Sequence, residues 1–333
     1  MKALVDRGGG SLDALELSDM PVPEPEDNEI RIKVVQAGLN HRDLFIPHRN
    51  KGNKEPVIPG SDGAGIVDAC GGDVEAFQPG DEVIINPGLG WEENTPAPPD
   101  SFHLLGYPGH GTFAEYVTVP AAHVELKPPH LSWEEAGVLS LAALTAFRAL
   151  FTKGRLQSSD TVFIPGAGSG TAGFLIPFAK KTGAEVFTSS RSKEKRRRAL
   201  ALGADAAVDS SGNWQDELEG RQADLIIDAV GAATFQKSMD LLKKGGRMVI
   251  FGSSTGDTVD FHLRSFFYGQ YELIGSTMGS HEEFHQMLAF VSKHNIRPGL
   301  DSTVPLEQIK EALQRLEDGL QFGKISITVS EEV

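Results

Sequence analysis

A single cysteine in 333 residues, Cys70, leaves no partner for an internal disulfide and no thiolate set for a multi-cysteine zinc site. Basic residues are also short: Lys+Arg number 31 against 46 Asp+Glu, a formal net charge of −15. Such a surface repels polyphosphate, so nucleic acids and anionic membranes are poor partners. Long apolar runs are missing. The longest, residues 138–147, falls far short of the roughly 20 residues that span a bilayer. Residues 1–7 hold no apolar stretch suited to a signal peptide. A soluble, cytoplasmic protein is expected.

What is present reads as two domains. The length suggests about two units at roughly 150 residues each, and 40% hydrophobic residues suffice for buried cores. Residues 1–128 are rich in glycine and proline, with short β-branched or alternating runs at 30–36, 65–69, 82–85 and 114–119. That texture predicts a strand-rich domain. Ser132-Trp133-Glu134-Glu135 is a capping-box pattern that opens a helical spacing over 133–151. From there strands alternate with helices: strands at 161–164, 185–189, 206–208, 224–229, 247–251 and 271–275, helices at 170–182, 193–202 and 233–243. Alternation of this kind predicts an α/β, doubly wound parallel sheet over 129–276. Two further helices, 282–294 and 306–318, and a strand at 324–329 return the chain to the first domain.

The strand at 161–164 runs into Pro165-Gly166-Ala167-Gly168-Ser169-Gly170-Thr171-Ala172-Gly173. Gly168-x-Gly170-x-x-Gly173 satisfies the dinucleotide fingerprint, and a register one residue earlier, with Ala172 as the third small residue, is also open. Glycines there let the backbone approach a pyrophosphate seated on the free N–H groups of a helix start. The motif follows a strand and opens a helix, the context that gives it weight. Pro177, inside that helix, should kink it or cost about 3 kcal/mol.

The end of the second strand selects the cofactor. An NAD site usually places Asp or Glu there for the ribose 2′-hydroxyl. Here the chain reads Ser189-Ser190-Arg191-Ser192-Lys193-Glu194-Lys195. Ser190 fills the acidic slot and Arg191 follows, groups that welcome a 2′-phosphate. NADP(H) is expected, held by Gly166, Gly168, Ser169, Gly170, Thr171, Ser190, Arg191 and Lys195. Arg196-Arg197-Arg198 reads as a solvated helix face.

These residues, together with Ala37-Gly38-Leu39-Asn40-His41-Arg42-Asp43, Pro59-Gly60-Ser61-Asp62-Gly63-Ala64-Gly65, Pro79-Gly80-Asp81-Glu82-Val83 and Gly111-Thr112-Phe113-Ala114-Glu115-Tyr116, resemble the medium-chain dehydrogenase/reductase family. The likeness is to its zinc-free, quinone-oxidoreductase-like and zinc-type alcohol dehydrogenase-like branch. It implies a GroES-like catalytic domain at 1–128 rejoined by 277–333, a Rossmann NADP-binding domain at 129–276, and a homodimer paired through the strand near 271–275. It further implies that Asn40 and Thr145 flank the nicotinamide, and that Val230, Gly252, Ser253, Ser254, Ser276 and Thr277 line the cofactor groove. Gly323 and Lys324 would close over it.

The departures bear on mechanism. The family's zinc enzymes place Cys where Asn40 stands and His where Ser61 stands, with a third ligand near Leu141. Their four-cysteine lobe falls in 86–106, which here has no cysteine and reads as a lid, a subunit contact or an ordinary loop. No metal is therefore expected. Without a Lewis acid, the easier hydride acceptors delocalise their own charge, as quinones and α,β-unsaturated carbonyls do. The expected activity is NADPH-dependent, zinc-independent reduction of such a small-molecule electron acceptor. An alcohol or aldehyde oxidoreductase and a non-catalytic NADPH-binding protein are the rivals. Asn40 is the candidate catalytic contact, with a turn or cofactor-ribose contact as its plainer role. Asp43 is the second candidate, and reads more readily as structural. His281-Glu282-Glu283-Phe284-His285 matches a zinc-hydrolase pattern, but Ser280 and Glu283 form a capping box that places His281 in an exposed first turn.

Overall fold

A computed structural model describes residues 1–331. It divides the chain into two compact units, Met1–Ala142 with the chain from Gly279 onward, and Ala143–Met278.

The first unit is built on one mixed sheet. Its spatial order is Leu300–Pro305, Lys324–Thr328, Glu29–Gly38, Asp62–Cys70, Glu82–Ile85 and Val124–Leu126, with Tyr116–Pro120 also paired to Glu29–Gly38. Along the central strand Ile30, Ile32 and Val34 alternate inward and are wholly buried. They meet Leu4, Phe113, Val117, Ile325 and Ile327 in the core, each such side chain stabilising the fold by about 1.5–3 kcal/mol. The register decides what comes together. Gly38 lies opposite Ser326 on one side and Asp62 on the other. Asn40, two residues on, therefore falls beside Lys324. Gly38 has to be glycine: a Cβ there would lie 2.6 Å from the Gly137 carbonyl oxygen.

The second unit is a six-stranded parallel sheet in which chain order 3-2-1-4-5-6 runs across the sheet. Its strands are Thr161–Pro165, Glu185–Ser189, Ala206–Val208, Ala223–Asp228, Leu242–Ile250 and Glu272–Gly275. Phe163, Phe187, Trp214, Ile226 and Met248 fill one face. Pro165 pairs with Ser189, Ser189 with Val208, Asp228 with Ile250 and Ile250 with Gly275. The loops that follow these residues thus leave one edge of the sheet together, where doubly wound folds bind ligands.

Three expectations shift. The helical spacing over 133–151 is not one helix but Trp133–Ala136, Ser140–Phe147 and a π-helical turn, Arg148–Lys153. It breaks because Gly137 packs on Gln36, where a Cβ would approach to 2.6 Å. The first unit extends past the expected 128 to Ala142, because Trp133–Ala136 packs on the first sheet. Pro177 lies inside Ala172–Thr182 without ending it. The strand Leu300–Pro305, too polar to show an alternation, was not expected.

Candidate active site

In the second unit the glycine loop is a backbone cradle. Gly166 has φ +82°, a conformation favouring glycine, and its N–H donates to Ser189. The Ser169 hydroxyl accepts the Ala172 N–H at 3.0 Å and opens the helix Ala172–Thr182. Among the described residues the N–H groups of Gly168, Gly170 and Thr171 have no protein acceptor. Three free donors at a helix start make an anion site. A Cβ on Gly168 would sit 2.6 Å from Lys195 Cδ and 3.0 Å from its Nζ, so an ammonium lies over the loop. Ala172 and Gly173 are both buried at the helix start, and a Cβ on Gly173 would meet nothing within 4 Å, so packing there does not demand glycine at 173.

Ser190 and Arg191 follow the second strand. Ser190 is buried, and its Oγ accepts the Ser192 N–H at 3.2 Å. Arg191 is exposed. Arg196 is no solvated arginine. Its guanidinium donates to Ser190 O at 2.6 Å, Arg191 O at 3.3 Å and Asp209 Oδ2 at 2.7 Å, and so braces this loop. Hydrogen bonds from Ser211, and then Arg196, hold the Asp209 carboxyl down to about 2. The remoteness of Asp209 in sequence hid this role.

The fourth strand ends in Asp228, which spacing did not single out. This buried carboxylate accepts from the N–H groups of Val230 and Gly231 at 2.7 and 3.1 Å, and from the hydroxyls of Thr234 and Ser238. It fixes Val230, whose Cγ2 would lie 3.1 Å from a Cβ on Gly166. Gly252 abuts Ala229, and the Ser254 N–H donates to the Ala229 carbonyl, so the 252–254 loop joins the same rim. Ser253 lies 2.8 Å at its Cα from a Cβ position on Gly231. Ser276 follows the sixth strand and its buried hydroxyl lacks a partner among the described residues; Thr277 beside it is exposed. The Thr145 hydroxyl lies 3.7 Å from Met278 Sδ in this unit.

The first unit holds a different device. Lys324, 4% exposed, donates to Leu39 O at 2.7 Å, Asn40 Oδ1 at 2.6 Å and Asp62 Oδ2 at 3.0 Å. Asn40 Nδ2 donates to Asp62 Oδ2 at 2.9 Å, and Asp62 Oδ1 accepts the Leu141 N–H at 2.7 Å. Arg42 donates to the Ser61 hydroxyl and to Leu105 O at 2.9 Å. Asp43 Oδ2 accepts the Asn40 N–H at 2.8 Å, while its buried Oδ1 has no partner among the described residues. Burial pushes the Asp43 carboxyl up to about 6, against the pull of Arg42, the Asn40 N–H and Lys324. Asn40, Asp43 and Lys324 are thus brought together. The Lys324 ammonium directs its three hydrogens at acceptors of its own unit. Gly323, at φ +95°, makes the turn before this strand and abuts Gly299.

Residues 26–129 match the alcohol dehydrogenase GroES-like domain, and residues 170–293 match the zinc-binding dehydrogenase family. The zinc-type alcohol dehydrogenase-like protein YogA of Leptosphaeria maculans is 31% identical, with 97% of each chain covered. The chain belongs to the medium-chain dehydrogenase/reductase superfamily, in its zinc-type alcohol dehydrogenase-like branch. A solved structure described as an NAD-dependent alcohol dehydrogenase superposes with a TM-score of 0.92 at 36% identity, covering 99% of this chain and all of that one. The crotonyl-CoA reductase of Streptomyces collinus is 26% identical over 94% of this chain and 81% of its own. This is therefore a nicotinamide-dinucleotide-dependent oxidoreductase of the superfamily.

The superfamily's zinc does not fit these residues. Its ligand positions hold an amide (Asn40), a hydroxyl (Ser61) and, near Leu141, an aliphatic side chain. Zinc requires three or four good N, S or O donors. The ammonium of Lys324 and the guanidinium of Arg42 stand among these groups instead, and a dication would meet their repulsion. In the 86–106 lobe a two-stranded ribbon, Gly88–Leu89 with His103–Leu104, closes over Trp91, which is buried against Phe102. The zinc-hydrolase-like motif caps a helix. Ser280 and Glu283 form the reciprocal box, and His281 and His285 both contact Glu125, at 3.4 and 3.3 Å. His281 is half-buried against His123 rather than exposed.

Proposed function

We propose that the protein is an NADPH-dependent, zinc-independent reductase of α,β-unsaturated carbonyls or quinones. The observation that carries this reading is the Lys324 ammonium seated on Asn40, where the branch's zinc enzymes place a ligand, and on Asp62, next to the Ser61 ligand position. Acceptors that spread negative charge over a conjugated system need no Lewis acid, only hydrogen-bond donors to the carbonyl oxygen. The relative named as a crotonyl-CoA reductase adds support for enoyl chemistry in this superfamily.

The glycine cradle fits the phosphates of a dinucleotide, with three free N–H donors and Lys195 above them. Ser190 and Arg191, in place of a carboxylate, favour the 2′-phosphate of NADPH. Bound NADPH supplies the hydride. The chain holds the dinucleotide through Gly166–Thr171, Ser190, Arg191, Lys195 and Val230, and offers the carbonyl oxygen a polar contact through Asn40. The proton that completes the reduction comes from water. Asp43 we assign to structure, since one of its carboxyl oxygens accepts the Asn40 N–H and closes the turn that carries Asn40.

The strand Glu272–Gly275 is the edge of its sheet, and Leu263, Phe267 and Tyr268 nearby are exposed. We assign that edge to a second copy of the chain, as a homodimer that light scattering would register.

The test is NADPH oxidation against a panel of enones, quinones, aldehydes and alcohols, with NADH as the control. Faster enone or quinone turnover with NADPH than NADH is expected. Alcohol oxidation abolished by chelator would instead favour the alcohol dehydrogenase reading that several relatives' names carry. Stoichiometric NADPH binding without turnover would favour a binding protein.

A further inference from the structure

Lys324, Asn40, Asp62, Asp43, Arg42 and Ser61 form a network whose donors and acceptors can be assigned one by one. An ammonium has three hydrogens. Lys324 directs them at Leu39 O, Asn40 Oδ1 and Asp62 Oδ2, so it has none left for a ligand. The Ser61 hydroxyl donates to Leu105 O at 3.1 Å. Asn40 is different. Its amide cannot be flipped: Lys324 needs an acceptor and Asp62 needs a donor, so Oδ1 faces the lysine and Nδ2 the aspartate. One Nδ2 hydrogen goes to Asp62. Among the buried side chains of the network, the other is the N–H without a protein acceptor among the described residues. The contact at Oδ1 also draws electron density out of the amide, which makes the opposite N–H a stronger donor.

We propose that Lys324 and Asp62 are positioning residues that hold and polarise Asn40, whose uncommitted amide N–H donates a hydrogen bond to the oxygen of the acceptor as negative charge builds there. This assignment rests on the reductase reading. A hydride from NADPH, delivered to the β-carbon of the enone or to one oxygen of the quinone, forms the new C–H or O–H bond and oxidises the cofactor to NADP⁺. The electron pair displaced from the conjugated system settles on the carbonyl oxygen, where the Asn40 N–H meets it. Water then protonates the enolate carbon or the quinol oxygen. A preorganised donor of this kind is worth about 10²–10³ in kcat. The Lys324–Asp62 pair keeps it preorganised, because a free asparagine side chain would spend its time among other rotamers.

The experiment uses the full chain with NADPH and two acceptors, a simple cyclic enone and a benzoquinone. It compares wild type with Asn40→Ala, Lys324→Met and Lys324→Arg, and measures NADPH affinity by fluorescence titration alongside. Asn40→Ala should lower kcat for the enone by about 10²-fold, with NADPH affinity retained. Lys324→Met should lower kcat more than it raises KM, and Lys324→Arg should recover much of the loss. Both losses should be larger for the enone than for the quinone, whose product anion stabilises itself. A merely structural role would lower both acceptors equally and track the loss of Tm. Should Lys324→Met fail to fold, Asn40→Ala and the acceptor dependence of Lys324→Arg decide the matter. Wild type that turns over neither acceptor overturns the reductase reading. Wild type that turns over both, with Asn40→Ala and Lys324→Arg unchanged or equally slowed on both acceptors, overturns the positioning role alone. Loss in Arg42→Gln with none in Asn40→Ala would also overturn it by moving the donor to Arg42, which is half-buried.

Discussion

The phosphate loop of the second unit and the polar network of the first solve the same problem, holding charge in a fold, by opposite means. The loop works with backbone. Gly168, Gly170 and Thr171 offer N–H groups from consecutive turns of one short segment, and side chains enter only as Lys195 and Val230. The network works with side chains drawn from far apart: Asn40 and Asp62 are 22 positions distant, Asn40 and Lys324 are 284. A backbone site tolerates change in its surroundings, because each N–H is held by its own turn. A buried side-chain network does not, since each member is the desolvation partner of another.

Breaking the network should therefore produce the largest effect on stability. Lys324→Met leaves the buried Asp62 carboxylate without its cation, and denaturant unfolding should show a loss of about 3–5 kcal/mol. An equally buried but uncharged change of similar cost elsewhere would not alter the acceptor preference, so the two readouts together isolate the network. The loop should answer differently. Ser190→Asp puts a carboxylate where a 2′-phosphate would sit. NADPH affinity should fall about ten- to hundredfold, the weight of a charge-assisted contact of about 1.5–3 kcal/mol. NADH affinity should hold or rise, and Tm should barely move. Loss of both cofactors together would show that Ser190 supports the fold rather than selecting the cofactor.

A smaller effect sharpens the contrast through pH. Asp43 is raised to about 6 in the folded protein, so the native state binds its proton more tightly than the unfolded chain. The sign follows. This carboxyl favours folding when protonated, and that contribution is lost as pH rises from its unfolded pKa of about 4 through about 6. Relative to Asp43→Asn, wild type should lose about 1–1.5 kcal/mol of stability between pH 5 and pH 8. Parallel stability–pH curves would show that Asp43 ionises normally and that the network carries no unpaired oxygen.

How much of this was visible in the chain follows from the same division. The glycine cradle, the alternating strands and helices, and the Ser190-Arg191 ending are local patterns, and the strands Glu185–Ser189 and Ala206–Val208 fall where periodicity puts them. The third small residue of the motif did not, because Ala172 and Gly173 adjoin and both are buried at the helix start. Lys324 was legible only as a residue near a cofactor. Its inward turn depends on sheet register, Ser326 against Gly38, which no local pattern carries. Arg196 shows the same limit: a run of three arginines looks solvated until Asp209 arrives from the next strand's end. Likewise the helix expected over 133–151 gave way at Gly137, where tertiary packing on Gln36 outweighed helical spacing.

In the proposed reductase the chain's own cation and amide stand in for the metal of the zinc enzymes. The most direct measurement is enone turnover with NADPH by protein stripped with chelator, before and after adding zinc, with metal content read on the same samples. The stripped protein should be fully active, take up no stoichiometric zinc and gain nothing when zinc is added. Activity lost on stripping and restored by one equivalent of zinc would contradict it.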